Sequence, residues 1–153
     1  MLERKVSEVP WHPFLVHLPI GGWLMGTLLL WMGILSRRRD WCQLSWICLA
    51  LAAVASIPAV LAGQADLAEY SGPLYIEVKR HRDLGNLLPW LMCGLVLLNA
   101  HFTFRKKGAN VSQWPMVILA TLVSILIIYA GLLGGKLVYI LGVAEAILGA
   151  KKS

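Results

Sequence analysis

Along the chain, charged residues vanish for about twenty positions at a time and then return in clusters. Four such stretches, 14–35, 41–63, 84–104 and 114–133, contain no Asp, Glu, Lys or Arg. Each reaches the roughly 20 apolar residues that an α-helix needs to cross the hydrocarbon of a bilayer. Backbone groups in hydrocarbon have no water to bond, so a spanning segment satisfies them internally, as a helix. No stretch alternates apolar and polar at period two, the mark of a half-buried strand. The pattern predicts an all-α fold: an integral membrane four-helix bundle forming a single transmembrane domain, 1–153.

The connections are unequal. The segment 64–83 is the only long polar one; Ser71-Gly72-Pro73 supplies turn chemistry, and 74–82 is expected to begin the third helix ahead of the membrane surface. Gly134-Gly135 follows the fourth run, and an apolar tail broken by Gly142, Glu145 and Gly149 leads to Lys151-Lys152. That tail is too short to span, so 134–153 is expected to form a short C-terminal interfacial or re-entrant segment. The first run is too long for a signal peptide and lacks a small-residue cleavage pattern, so no cleavable leader is expected.

Arg37-Arg38-Arg39 and Arg105-Lys106-Lys107 stop the first and third runs, while Trp11, Trp41 and Trp114 fall at expected headgroup levels. The short loops 36–40 and 105–113 hold six Lys/Arg in 14 positions, against eight in 53 on the opposite side. The higher basic density assigns those loops to the cytoplasm and both termini to the periplasmic side of an inner membrane.

Composition agrees: 58% hydrophobic, 14% charged and a mean hydropathy of +0.69, where soluble domains run at about 45–50% and 25%. A disordered chain and an ordinary cytosolic enzyme are excluded. The net charge of +6 lies mostly beside apolar runs, so its partners are lipid headgroups rather than nucleic acid. Cys42, Cys48 and Cys93 are odd in number and sit in apolar stretches, which implies no disulfide framework. No phosphate-binding glycine loop and no His-Glu-x-x-His occurs.

Small residues mark faces where helices can approach in lipid. Gly22, Gly26 and Gly33 lie along one side of the first helix, with His17 and Gly21 on another. Ala52, Ser56, Ala59 and Gly63 share a face of the second, where Pro58 is expected to kink the helix.

All four histidines, His12, His17, His81 and His101, lie near membrane boundaries, the first three on the outer side. Imidazoles there are candidate ligands or proton carriers. One reading has His17, directed into the bundle, and His81 bind the iron of a haem b between the first and third helices. Arg80 and Arg82 would then pair with propionates, Gly85 would leave room for a flat group, and His12 would act as an outer-layer or quinol-side group. A second reading leaves these histidines hydrogen-bonded to carbonyls and headgroups. A third places zinc or copper on His12, His17 and His81. His101 reads as a headgroup-level residue, and Asp66 and Glu69 as caps, ion-pair partners or proton relays.

The motif His12-Pro13-x-x-Val16-His17-x-Pro19-Ile20 resembles the signature of a family of small bacterial four-helix membrane proteins, domain of unknown function 2231. Gly63-x-x-Asp66, His81-x-x-Leu84-Gly85 and Gly134-Gly135-x-Leu137-Val138-Tyr139-x-x-Gly142-Val143 are similar to its other landmarks. The resemblance implies a four-span fold with its marked residues on one side. It also implies a setting beside Rieske-type or cytochrome c domains, hence electron transfer. One position departs: Leu141 stands where relatives usually carry His, and Ala144 replaces a usual glycine. The leading expectation is a haem b-binding electron-transfer subunit. The alternative is a cofactor-free structural or assembly subunit of a larger membrane redox or photosynthetic complex. Whether the chain is itself an enzyme is left open by the sequence, which favours either subunit role over a stand-alone enzyme.

Overall fold

A computed structural model describes residues 11–67, 75–105 and 113–140. The elements are α1 (Trp11–Leu15), α2 (His17–Leu35), α3 (Arg39–Leu67), α4 (Tyr75–Arg105) and α5 (Trp114–Gly135), the last running into a π-helical turn, Lys136–Ile140. Four of these helices are long and apolar enough to cross a membrane. At about 1.5 Å rise per residue, even α2, with 19 residues, matches a hydrocarbon core of about 30 Å.

Several boundaries differ from the sequence expectation for local reasons. The first run divides at Val16 into α1 and α2, with Pro19 buried in the first turn of α2, where its missing N–H costs nothing. Helix α4 begins at Tyr75, so the third helix starts well ahead of its apolar stretch, as expected. The fourth helix runs past the span expected to end at 133: helical backbone continues through Gly134 and Gly135 to Ile140. The rest of the C-terminal tail, and Glu69, lie outside the described residues, as does the side chain of Asp66.

One apolar core joins the four spans. Trp23 and Leu30 of α2 meet Leu49, Ala52 and Ala53 of α3, Met92 and Leu95 of α4, and Val117, Ala120 and Ile127 of α5. Leu, Val and Ile residues that point away from this core coat the exterior, where lipid tails receive them.

Glycines set the α2–α3 approach. A Cβ on Gly22 would stand 3.2 Å from Ala52 Cβ, and one on Gly26 only 2.8 Å from Leu49 Cγ. Gly21 has open space and His17 is exposed, so α2 is two-sided as its glycine spacing implied.

Tryptophan N–H groups find partners inside the bundle, as buried donors must. Trp23 Nε1 donates to Ala120 O at 3.3 Å, Trp31 Nε1 to Thr121 Oγ1 at 3.0 Å, and Trp46 Nε1 to Gln113 Oε1 at 3.2 Å. These bonds tie α2 and α3 to the N-terminal half of α5.

The α2–α3 turn is a Schellman closure: Arg38 N donates to Gly33 O at 2.9 Å and Arg37 N to Ile34 O at 3.3 Å. Arg37 holds the left-handed position with φ of 56°, which usually belongs to glycine. Asp40 pairs with Arg38 at 2.6 Å, and Arg38 lies over the Trp41 ring at 5.7 Å.

Candidate functional site

Two histidines from elements far apart in sequence meet near one end of the bundle. His12 comes from α1 and donates Nδ1–H to Ala59 O of α3 at 2.7 Å. His81 comes from α4 and donates Nδ1–H to Ala130 O of α5 at 3.2 Å. A carbonyl can only accept, so both neutral rings carry the Nδ1 proton and keep Nε2 free as a lone-pair donor. Fixing one ring nitrogen on a carbonyl is how metal-ligating histidines are usually oriented.

The two docking places share a design. Each carbonyl belongs to an alanine that stands four residues before a glycine: Ala59 before Gly63, Ala130 before Gly134. In an α-helix the carbonyl of one residue points toward the residue four ahead, so a side chain at that second position would cover it. Gly63 leaves it open: a Cβ there would lie 2.7 Å from His12 Cε1 and Nδ1. Gly134 does the same for His81, with 3.0 Å to Cε1.

The rings stand 6.4 Å apart between centroids, with planes inclined at 76°. Between them is a cleft of about 30 Å³ with two walls. Val60, Gly63 and Gln64 of α3 flank His12; Arg82, Gly85 and Asn86 of α4 flank His81. Gly85 faces open space, and Gln64 Nε2 donates to Asn86 Oδ1 at 2.9 Å in an exposed bridge from one wall to the other.

Of the expected site residues, His12, His81, Arg82 and Gly85 therefore share one cleft. His17 does not join them. It opens α2 on its outward side and is exposed, while Pro19 and Trp23 of the same helix face inward. The expectation that His17 points into the bundle is thus corrected: the backbone stays helical through Val16, and a five-residue interval turns His17 about 140° from His12, so His12 faces inward and His17 outward. Arg80 is exposed and reaches Glu77 at 3.9 Å rather than the cleft. His101 is exposed, edge-on to Phe102 at 5.8 Å. Among the described residues no three His, Cys, Asp or Glu side chains gather, so the triad of His12, His17 and His81 is not assembled.

The spacing limits what the pair can hold. Metal–nitrogen bonds of about 2.0–2.1 Å and a ring radius of about 1.1 Å put two trans imidazole centroids about 6.3 Å apart, and two tetrahedral ones about 5.1 Å. The observed centroid separation of 6.4 Å, with planes inclined at 76°, is close to the first of these distances. Laterally the cleft as it stands admits a water or an ion. A flat macrocycle would require the bridged Gln64 and Asn86 side chains to swing away from each other.

Sequence reasoning missed Gln64, Asn86 and the pairing of His12 with His81. The usable signal was the repeated alanine–glycine spacing on the second and fourth spans, read there only as packing and as a helix end.

The family model described as a predicted membrane protein, DUF2231, matches residues 8–146. Neither the curated proteins nor the solved structures yield a match.

Proposed function

The chain belongs to the DUF2231 family of predicted membrane proteins, and from that premise and the histidine geometry we propose that it is a haem b-binding, multi-pass electron-transfer subunit. The observation that carries this reading is the His12–His81 pair, 6.4 Å apart, with both Nδ1–H groups held by backbone carbonyls. His12 and His81 would hold the iron from opposite walls. Arg82 would neutralise a propionate, and the glycines at 63 and 85 would clear the walls for a flat ring. When bound, the group supplies one-electron chemistry.

The protein's own part is orientation and insulation. Carbonyl-bound Nδ1–H groups raise the basicity of each ligand and fix its tautomer. The apolar exterior keeps the centre at one membrane surface. The basic density of the short loops supports a reading with that surface outside, in the inner membrane with both termini periplasmic. A cytochrome c or Rieske-type partner would meet it there.

The test is spectroscopic. Protein purified after expression with ample haem should show Soret and α bands that sharpen on reduction with dithionite. His12→Ala and His81→Ala should each abolish them, and His17→Ala should not. A colourless wild-type preparation would refute the reading. So would haem retained by both the His12 and His81 variants.

A second reading, a cofactor-free subunit of a larger complex, draws on Gly94 and Gly131. Both are exposed and meet nothing within 4 Å, so the outer faces of α4 and α5 offer close approach to another helix.

A further inference from the structure

The cleft has room for one ion, and among the described residues the two imidazoles are the metal-ligating side chains that line it. We propose that the haem-free chain binds a single cuprous ion between His12 Nε2 and His81 Nε2. This rests on the ring geometry that also supports the haem reading, but it requires no haem.

The argument is one of number, angle and charge. Among the described residues no third His, Cys, Asp or Glu joins the pair. Zinc seeks four ligands near tetrahedral angles, which two rings at trans spacing do not offer. A cuprous ion is satisfied by two neutral nitrogens in line, and imidazole is a suitable copper ligand. The 6.4 Å centroid separation is close to the span that two in-line ligands would need. Charge selects in the same direction, since among the described residues neither ring nor any cleft-lining side chain is an anion. Without a compensating anion, a divalent ion would suffer a larger desolvation penalty than a monovalent one. Arg82 on the same wall adds a repulsion that a divalent ion feels twice over. The cleft of about 30 Å³ exceeds the roughly 10–15 Å³ that one water-sized occupant needs.

The Gln64–Asn86 bridge separates the two occupants. It can stay closed over an ion, whereas a macrocycle requires it to open. Haem and the cuprous ion would therefore compete for the same nitrogens but differ in their dependence on that bridge.

The full chain, purified in detergent after haem-limited expression, is titrated with cuprous ion without oxygen against the chromogenic chelator bicinchoninate. Thiols outcompete imidazole for this soft ion, so the background carries Cys42→Ala, Cys48→Ala and Cys93→Ala. One ion per chain is expected, with zinc failing to displace it. His12→Ala and His81→Ala should each weaken binding by about 100-fold or more, beyond what loss of an outer-layer partner costs. His17→Ala should leave it unchanged. Because the histidine variants could also loosen α1, X-ray absorption on the unmutated site gives an independent readout: two nitrogen scatterers and no sulfur. Removing the bridge with Gln64→Ala and Asn86→Ala should speed haem uptake and leave cuprous binding intact.

A chain that withholds no copper from the chelator overturns the proposal. So does a four-coordinate or sulfur-bound spectrum, or an equal loss in the His17 variant. Haem binding without copper binding removes this inference alone. Copper binding without haem supports it and removes only the haem reading.

Discussion

His12 and His81 stand 6.4 Å apart with nearly perpendicular rings, each suspended from an alanine carbonyl that a glycine four residues ahead leaves uncovered. The two glycines are not equally tight. Gly63→Ala would bring a Cβ to 2.7 Å from the His12 ring, closer than side chains tolerate, whereas Gly134→Ala would reach only 3.0 Å from His81 Cε1. Gly63→Ala should therefore expel the His12 ring, while Gly134→Ala should shift the His81 ring by a few tenths of an ångström. Losing one hydrogen bond costs about 0.5–1.5 kcal/mol, so both variants should fold. Diethyl pyrocarbonate labelling read residue by residue checks this: His12 should react faster in Gly63→Ala and at its original rate in Gly134→Ala. Unchanged His12 labelling in Gly63→Ala would remove the glycine argument.

Arg37 occupies a left-handed position, φ 56°, in the Schellman closure of α2. A non-glycine residue there loses about 1–2 kcal/mol, and Arg37 is exposed and makes no ion pair among those the described residues show. Arg37→Gly should stabilise the folded chain by about 1 kcal/mol, read as a higher midpoint of thermal or denaturant unfolding in detergent. A lower midpoint would mean that the guanidinium does more at the headgroup layer than the backbone loses.

Ser45 is fully buried on α3, and its Oγ has no hydrogen-bond partner among the described residues. An unsatisfied buried hydroxyl costs about 1–3 kcal/mol, and alanine fits the same space with a better helix propensity. Ser45→Ala should raise the unfolding midpoint. Destabilisation instead would point to a bound water bonded to that hydroxyl.

The four spans were legible because their evidence is local: no charge falls inside them, and basic residues stand at their ends. The two-sidedness of α2 was legible for the same reason, since Gly22, Gly26 and Gly33 must share a face at helical spacing. Arg82 and Gly85 fell in the site because they ride on the same helix as His81. The choice between His12 and His17 was not legible. A five-residue interval separates the two by about 140° on a helix, which says that they face different ways but not which of them meets α3. Gly134-Gly135 misled in the opposite way. Glycines after an apolar run resemble a helix end, but here helix and glycine persist together because His81 needs the carbonyl beneath. That need arises from another helix and leaves no mark in the local pattern.

Trp23 is fully buried and donates Nε1–H to Ala120 O, which also accepts from Ser124 Oγ at 2.9 Å. The acceptor thus keeps a partner when the indole is removed, so Trp23→Phe should lose mainly the one donor contact and some area, about 1 kcal/mol. Trp23→Ala is different. It empties the middle of a core shared by all four spans, and a rigid bundle collapses only partly into such a hole. That places its cost at about 3–5 kcal/mol. Unfolding in mixed micelles of increasing sodium dodecyl sulfate would read both variants on one scale. Equal losses for Phe and Ala would show that the indole N–H, not the ring volume, holds α2 against α5. A small loss for Ala would show that the helices close over the gap, which the tight α2–α3 contact at Gly26 and Leu49 argues against.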